Sequence, residues 1–74
     1  MEMKGVYSSW VAEIGYDEET RELVYVTKKG DRIVHSDVDP ETARKVGALG
    51  SETPPSIGEA LHQWLRPWSR GVKA

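Results

Sequence analysis

Local sequence signals change type once along this chain, from strand signals before Val38 to helix signals after it. Before that point β-branched and aromatic residues are frequent, and apolar residues alternate with polar ones as on a half-buried strand. Polar turns at 17–20 and 28–31 separate these runs. The sequence therefore predicts a three-stranded antiparallel meander, with strands at 10–16, 23–27 and 32–36. The apolar side chains expected to share one face of the first strand are Trp10, Ala12, Ile14 and Tyr16.

The first helix is predicted at 40–49. Asp39 is a suitable N-cap, and Pro40 suits the first helical position because its missing N–H would have no partner there. A short apolar stripe follows and ends near Gly50. Gly47 and Gly50 are explained by close packing and helix termination.

The second helix has the best amphipathic pattern in the chain. It begins with a capping box, Ser56 with Glu59 three residues later. Pro67 disfavours helical geometry at Arg66, so the helix is expected to end near Leu65. The apolar stripe is Ile57, Ala60, Leu61, Trp64, Leu65 and Trp68, and Trp68 is expected in the turn that follows the helix.

These elements predict an α+β fold: a three-stranded antiparallel β-meander with two short C-terminal helices packed on one face. The 74 residues allow a single domain over 1–74, with 67–74 as a flexible tail. A core this small rarely contributes more than ~3–5 kcal/mol, so each large apolar side chain is needed inside. There are three Trp, three Tyr and no Phe, and an exposed aromatic would therefore indicate a contact point.

Composition excludes several classes of protein. Ten basic and twelve acidic residues give a net charge of -2, which fits neither a histone-like binder nor an acidic nucleic-acid mimic. There is no cysteine for a disulfide, a thiolate metal site or a cysteine nucleophile. No apolar run approaches the ~20 residues that span a bilayer, and the N-terminus lacks the apolar stretch of a signal peptide. We therefore expect a cytoplasmic protein with no membrane contact.

The residues do not indicate an enzyme. His35 and His62 are the only bases with an ordinary pKa near neutrality, and a packed or solvent-facing role is expected for both. Ser8 and Ser9 have no evident base to activate them as nucleophiles. Neither metal-ligand spacing nor a phosphate-binding glycine loop is present. We expect no catalytic site, metal site or cofactor.

Charge patterning favours a binding role instead. Segment 13–22 has five acids and one base, whereas 63–74 has three bases and no acid. Such a surface suits either RNA phosphates or a complementary protein surface. Solvated turns and tails explain the same charges without any ligand. The candidate partner-binding residues are Lys4, Tyr7, Lys28, Lys29, Arg32, Arg66, Trp68 and Arg70.

Segment 8–17, Ser-Ser-Trp-Val-Ala-Glu-Ile-Gly-Tyr-Asp, resembles the opening of the KTSC domain, a short module found at the C-terminus of some lysyl-tRNA synthetases. The similarity extends over about 6–66: Gly30 suits the family hairpin, 38–40 suits its helix start, and Ser56 with Gly58 follows its Ser-x-Gly segment. The chain departs from the family at Leu61 and His62, where an aromatic and Asn are usual, and at Pro54-Pro55.

The resemblance implies an accessory module without known catalysis, attached to translation enzymes or standing alone, including in phage genomes. The leading hypothesis is a monomeric, non-enzymatic protein that binds a larger protein of the gene-expression machinery, such as RNA polymerase. The alternative is an RNA-binding module that uses the basic residues. A homodimer formed through an edge strand or Trp68 is the third option.

Overall fold

The computed structural model describes residues 3–6, 8–49, 56–67 and 71–74. Five strands form one antiparallel sheet in the order β1-β2-β3-β4-β5. Two short helices and a π-helical turn make up the helical part of these described ranges. The elements are β1 Lys4–Gly5, β2 Val11–Asp17, β3 Glu22–Thr27, β4 Arg32–His35, α1 Pro40–Lys45, α2 Ile57–Ala60, the π turn Leu61–Leu65 and β5 Val72–Lys73.

The α+β class and the two short helices are confirmed, but the count of three strands is wrong. β1 and β5 extend the central meander at its two edges, where they pair with β2 and β4. Each has only two residues, too few to leave an alternating pattern in the sequence. β5 comes from within 67–74, the segment predicted to be a flexible tail.

A β-bulge in β2 changes which of its side chains face the core. Val11 lies opposite Thr27, but Glu13 lies opposite Val26, so Ala12 is an extra residue on this strand. The bulge puts Val11 and Ile14 on the same face, and both are fully buried. The alternation predicted from Trp10 therefore holds only after the bulge. The cluster of buried residues consists of Val11, Ile14, Tyr16, Leu23, Tyr25, Val38, Ala43, Val46, Ile57, Ala60, Leu61 and Leu65.

Helix α1 ends at Lys45, earlier than predicted. Gly47 has a φ of 82° and forms the end of a Schellman motif, in which the Ala48 amide donates to the Ala43 carbonyl at 2.8 Å. Asp39 occupies the N-cap position as predicted, yet its side chain makes no capping hydrogen bond. It lies 3.6 Å from Arg21 instead.

Helix α2 packs directly against Trp10. Ser56 caps it as predicted, accepting a hydrogen bond from the Glu59 amide at 3.4 Å. Gly58 is buried beneath the Trp10 indole, and a Cβ at this position would collide with the indole nitrogen. The Ser-x-Gly segment thus has a physical role: Ser56 begins the helix and Gly58 admits the indole.

We predict that Gly58→Ala lowers the free energy of unfolding by about 1–2 kcal/mol. Trp10 must move to admit the methyl group, and because the new Cβ would collide with the indole, the cost lies in the upper part of the ~1–3 kcal/mol usual for overpacking. The ~1 kcal/mol that alanine gains over glycine in helix propensity offsets part of this cost. Urea denaturation measures the difference. Gly5→Ala is the matched control, since its Cβ would meet nothing within 4 Å. Equal stability of Gly58→Ala and the wild type would contradict the packing described here.

Candidate functional site

A π-helical turn directs Trp64 away from the core. The Arg66 amide donates to the Leu61 carbonyl, five residues back, at 2.9 Å, where an α-helix would bond four residues back. This wider turn keeps both Leu61 and Leu65 buried, at 0% and 1% exposure, while Trp64 is 40% exposed. The prediction that Trp64 shares the buried stripe is therefore wrong. π turns inside helices occur frequently at functional sites, which makes Trp64 a candidate binding residue.

Trp64 borders a surface groove of about 420 Å³, which we call the Trp64 groove. One side is formed by 37–39, between β4 and α1, and another by Thr42 and Lys45 of α1. Trp64 and Leu65 of the π turn complete the lining. The groove combines apolar surface with charged groups of both signs, a composition typical of recognition sites.

Hydrogen bonds to the backbone of Val38 fix the 37–39 side of the groove. Tyr16 donates from its buried hydroxyl to the Val38 carbonyl at 2.5 Å, and the Val38 amide donates to the Arg21 carbonyl at 2.9 Å. Burial raises the pKa of Tyr16, so its hydroxyl remains a donor at neutral pH. Asp37 has a φ of 55°, a left-handed conformation that Asp tolerates better than most residues. The carboxylates beside the groove therefore extend from a fixed backbone.

The charged side chains at the groove make weak contacts with one another. Lys45 Nζ lies 4.5 Å from the centroid of the Trp64 ring and 3.9 Å from a carboxylate oxygen of Glu41. Asp39 contacts Arg21 and remains 73% exposed. Exposed ion pairs contribute only ~0–1 kcal/mol, so these side chains can reorganise when a partner binds.

A second group of side chains, the Trp10 cluster, lies where β2, β3 and β4 meet the helical segment. The Trp10 ring lies 5.7 Å from Tyr25, edge to face, and 5.4 Å from His62. Tyr25 stacks on His35 at 5.7 Å. Arg66 Nη1 lies 3.3 Å from His62 Nδ1, and both side chains are exposed. The cluster thus runs from the buried His35 to an exposed basic end at Arg66.

His35 is a packed histidine, 1% exposed. Burial lowers its pKa, and the positive charge of Arg66 lowers it further. Burial raises the pKa of the neighbouring Tyr25, although Arg66 opposes that change. Both rings are therefore neutral at pH 7, and their arrangement fits the packing role expected for His35.

The structure brings together some of the predicted partner-binding residues. Arg66 lies at the exposed end of the Trp10 cluster, and the backbone of Lys28 is joined to that of Trp10 by a hydrogen bond from the Lys28 amide to the Trp10 carbonyl at 2.9 Å. Lys29 and Arg32 are exposed at the β3–β4 turn and the start of β4. Lys4 lies on β1, at the far edge of the sheet. Tyr7, Trp68 and Arg70 lie outside the described residues.

Sequence reasoning missed the Trp64 groove because helical periodicity placed Trp64 inside. Pro67 was the available signal: in a continuing α-helix its ring would clash with the Gln63 carbonyl. The helical segment ends at Leu65, as predicted, although the φ and ψ of Arg66, -60° and -33°, are still helical. The irregularity is in the hydrogen bonding of the turn, not in the backbone angles of Arg66.

Within the described ranges, no three His, Asp or Glu side chains converge as ligands for a metal ion. No helix in the same ranges has the length and apolar composition needed to cross a membrane.

The sheet, the helices on one of its faces and the groove beside them define the chain as a small α+β domain. It is similar in structure to a KTSC domain protein from Yersinia pestis, with a TM-score of 0.82 and 19% sequence identity over 99% of this chain and 96% of that one. The chain therefore has the KTSC fold, as the motif at 8–17 predicted. No family model and no curated protein matches the sequence.

We predict that the free energy of unfolding falls as the pH decreases below 6.5. The unfolded chain protonates His35 near the ordinary pKa of 6.5, whereas the folded chain binds that proton only at lower pH. The unfolded state then holds more protons, so stability declines from pH 6.5 toward the lowered pKa of the folded state. Urea denaturation at several pH values measures this slope.

His35→Phe keeps an aromatic ring beside Tyr25 and removes the titrating group, so its slope between pH 7 and 5.5 should be shallower than that of the wild type. His62→Gln is the matched control, because it removes the other histidine, which is exposed. A His35→Phe slope equal to that of the wild type would refute the assignment.

Proposed function

We propose that this chain is a non-catalytic interaction module that docks onto a protein of the gene-expression machinery, with RNA polymerase as the leading candidate. The observation that carries the proposal is the exposure of Trp64 at the groove. A chain with three Trp and no Phe gains stability from each aromatic that it buries. Exposing one has a cost that contact with a partner can offset, and tryptophan is the residue type most typical of binding hot spots.

The form of the groove supports a protein partner. Val38 and Leu65 supply buried apolar residues near its floor, while Asp37, Asp39 and Lys45 surround them with charge. An apolar centre with a polar rim is the usual organisation of a protein–protein interface. The fixed backbone of 37–39 reduces the entropy that docking must remove.

The class of partner comes from the KTSC resemblance. Modules of that family are attached to tRNA-handling enzymes or stand alone, including in phage genomes. A small chain with a docking groove suits a regulator that binds a larger machine. A partner of this kind places the chain in the cytoplasm.

We predict that immobilised wild-type chain retains purified bacterial RNA polymerase and that Trp64→Ala weakens this binding at least ~30-fold, the effect of losing a hot spot of ~2 kcal/mol. Biolayer interferometry gives both affinities, and thermal denaturation verifies that the variant is folded.

Val72→Ala is the matched control, because Val72 is another exposed apolar side chain, 64% exposed, on β5. It should bind the polymerase like the wild type. Absence of polymerase binding, or equal binding by Trp64→Ala, would overturn the polymerase proposal.

RNA binding is the second candidate, favoured by Arg66 at the exposed end of the Trp10 cluster and by Lys28, whose backbone bonds to that of Trp10. Arg66 contacts His62, which packs on Trp10, and the Lys28 amide bonds the Trp10 carbonyl. Cations that flank aromatic rings are typical of surfaces that follow single-stranded nucleic acid.

If RNA is the ligand, the double variant Lys28→Ala/Arg66→Ala should bind a labelled single-stranded RNA at least ~10-fold more weakly and with a smaller dependence on salt, since it releases fewer counterions. Fluorescence anisotropy across a salt series measures both quantities. Arg44→Ala, which removes one exposed positive charge from α1, is the control for the loss of a single charge. No binding of the RNA by the wild type at low salt would eliminate this candidate.

A further inference from the structure

We infer that the Trp64 groove binds an arginine side chain of the partner protein, with the guanidinium over the Trp64 ring and hydrogen-bonded to the carboxylates of Asp37 and Asp39. The inference rests on the proposed function, because it names the chemistry that the partner presents to the same groove. Three features of the groove support it.

The Trp64 ring has a cation on its face in the free chain. Lys45 Nζ lies 4.5 Å from the ring centroid, within the range of a cation–π contact. The orientation and exposure of the ring therefore allow a positive charge to approach its face.

Lys45 is held there weakly. Its ion pair with Glu41 is 3.9 Å long and lies one helical turn away on an exposed surface. The lysine ammonium is a strongly hydrated point charge, whereas a guanidinium is planar, less hydrated and able to stack on an indole. A partner arginine can therefore displace Lys45 from the ring, while Lys45 keeps its contact with Glu41.

The carboxylates of Asp37 and Asp39 supply acceptors for the guanidinium. Asp39 already lies 3.6 Å from the guanidinium of Arg21, and a carboxylate has acceptor sites for more than one donor. The Val38 hydrogen bonds hold the backbone between the two acids. Charge-assisted hydrogen bonds from a planar fork of donors favour arginine over lysine at such a site.

The test uses the full chain and a short peptide, acetyl-Gly-Arg-Arg-Gly-amide, followed by ¹H–¹⁵N NMR. We expect saturable shifts of the Trp64 indole N–H and of the Asp37, Asp39 and Lys45 amides. The same peptide with citrulline, which is uncharged and of similar shape, should give none. Shifts that spread equally to the acidic turn at 17–20 would reveal general ionic attraction and overturn the inference.

Substitutions in and near the Trp64 groove distinguish peptide binding at this groove from general ionic attraction. Trp64→Leu keeps an apolar side chain but removes the cation–π contact, and it should weaken peptide binding at least about fivefold. Lys45→Met removes the ammonium that competes for the Trp64 ring, and it should strengthen peptide binding about threefold or more. Arg44→Met is the control, because it makes the same charge change on α1 outside the groove lining, and its effect should be smaller. Equal effects of Lys45→Met and Arg44→Met would contradict displacement of Lys45.

The failure of this inference differs from the failure of the proposed function. If RNA polymerase binds through Trp64 but the arginine peptide does not, the docking site stands and the arginine inference is wrong. If the peptide binds as expected but the polymerase does not, the arginine site stands and the identity of the partner is wrong.

Discussion

The hydrogen bond from the Arg66 amide to the Leu61 carbonyl closes a π turn, and the candidate site depends on it. The wider turn lets Leu61 and Leu65 both remain buried while Trp64, which precedes Leu65, moves to the flank. An α-helical turn would instead return Trp64 to the apolar stripe. A change in hydrogen bonding by one residue thereby converts a core position into a surface aromatic, and the fold keeps its core.

Two tryptophans consequently have different roles in this small domain. Trp10 packs against Gly58, Tyr25 and His62 and joins the sheet to the helical segment. Trp64 contributes less to the core and borders the groove, whose other side is fixed by the Tyr16 hydroxyl through Val38. Strand β2 thus supports the site at a distance, because Tyr16 is one of its buried residues. The proposed docking surface is rigid where its carboxylates lie and adjustable where Lys45 lies.

The sequence predicted those features that repeat over several residues, and it missed those that depend on one residue. The central meander and both helix starts follow from alternation and capping, and the resemblance of segment 8–17 to the KTSC domain implied the fold. The bulge at Ala12 inserts one residue and shifts the buried face, and Gly47 ends α1 before its apolar stripe ends. The two-residue edge strands owe their pairing to neighbours far along the chain. The π turn was missed because it shifts one hydrogen bond by one residue, and only Pro67 indicated it in the sequence.

The central claim is that Arg66 bonds to Leu61 and not to His62, and this bond can be observed directly. In a uniformly ¹³C,¹⁵N-labelled sample, a long-range HNCO experiment detects scalar coupling across each backbone hydrogen bond. We predict a cross-peak that connects the Arg66 amide nitrogen with the Leu61 carbonyl carbon. A cross-peak from the same amide to the His62 carbonyl would reveal an ordinary α-helical turn and contradict the account of how Trp64 reaches the surface.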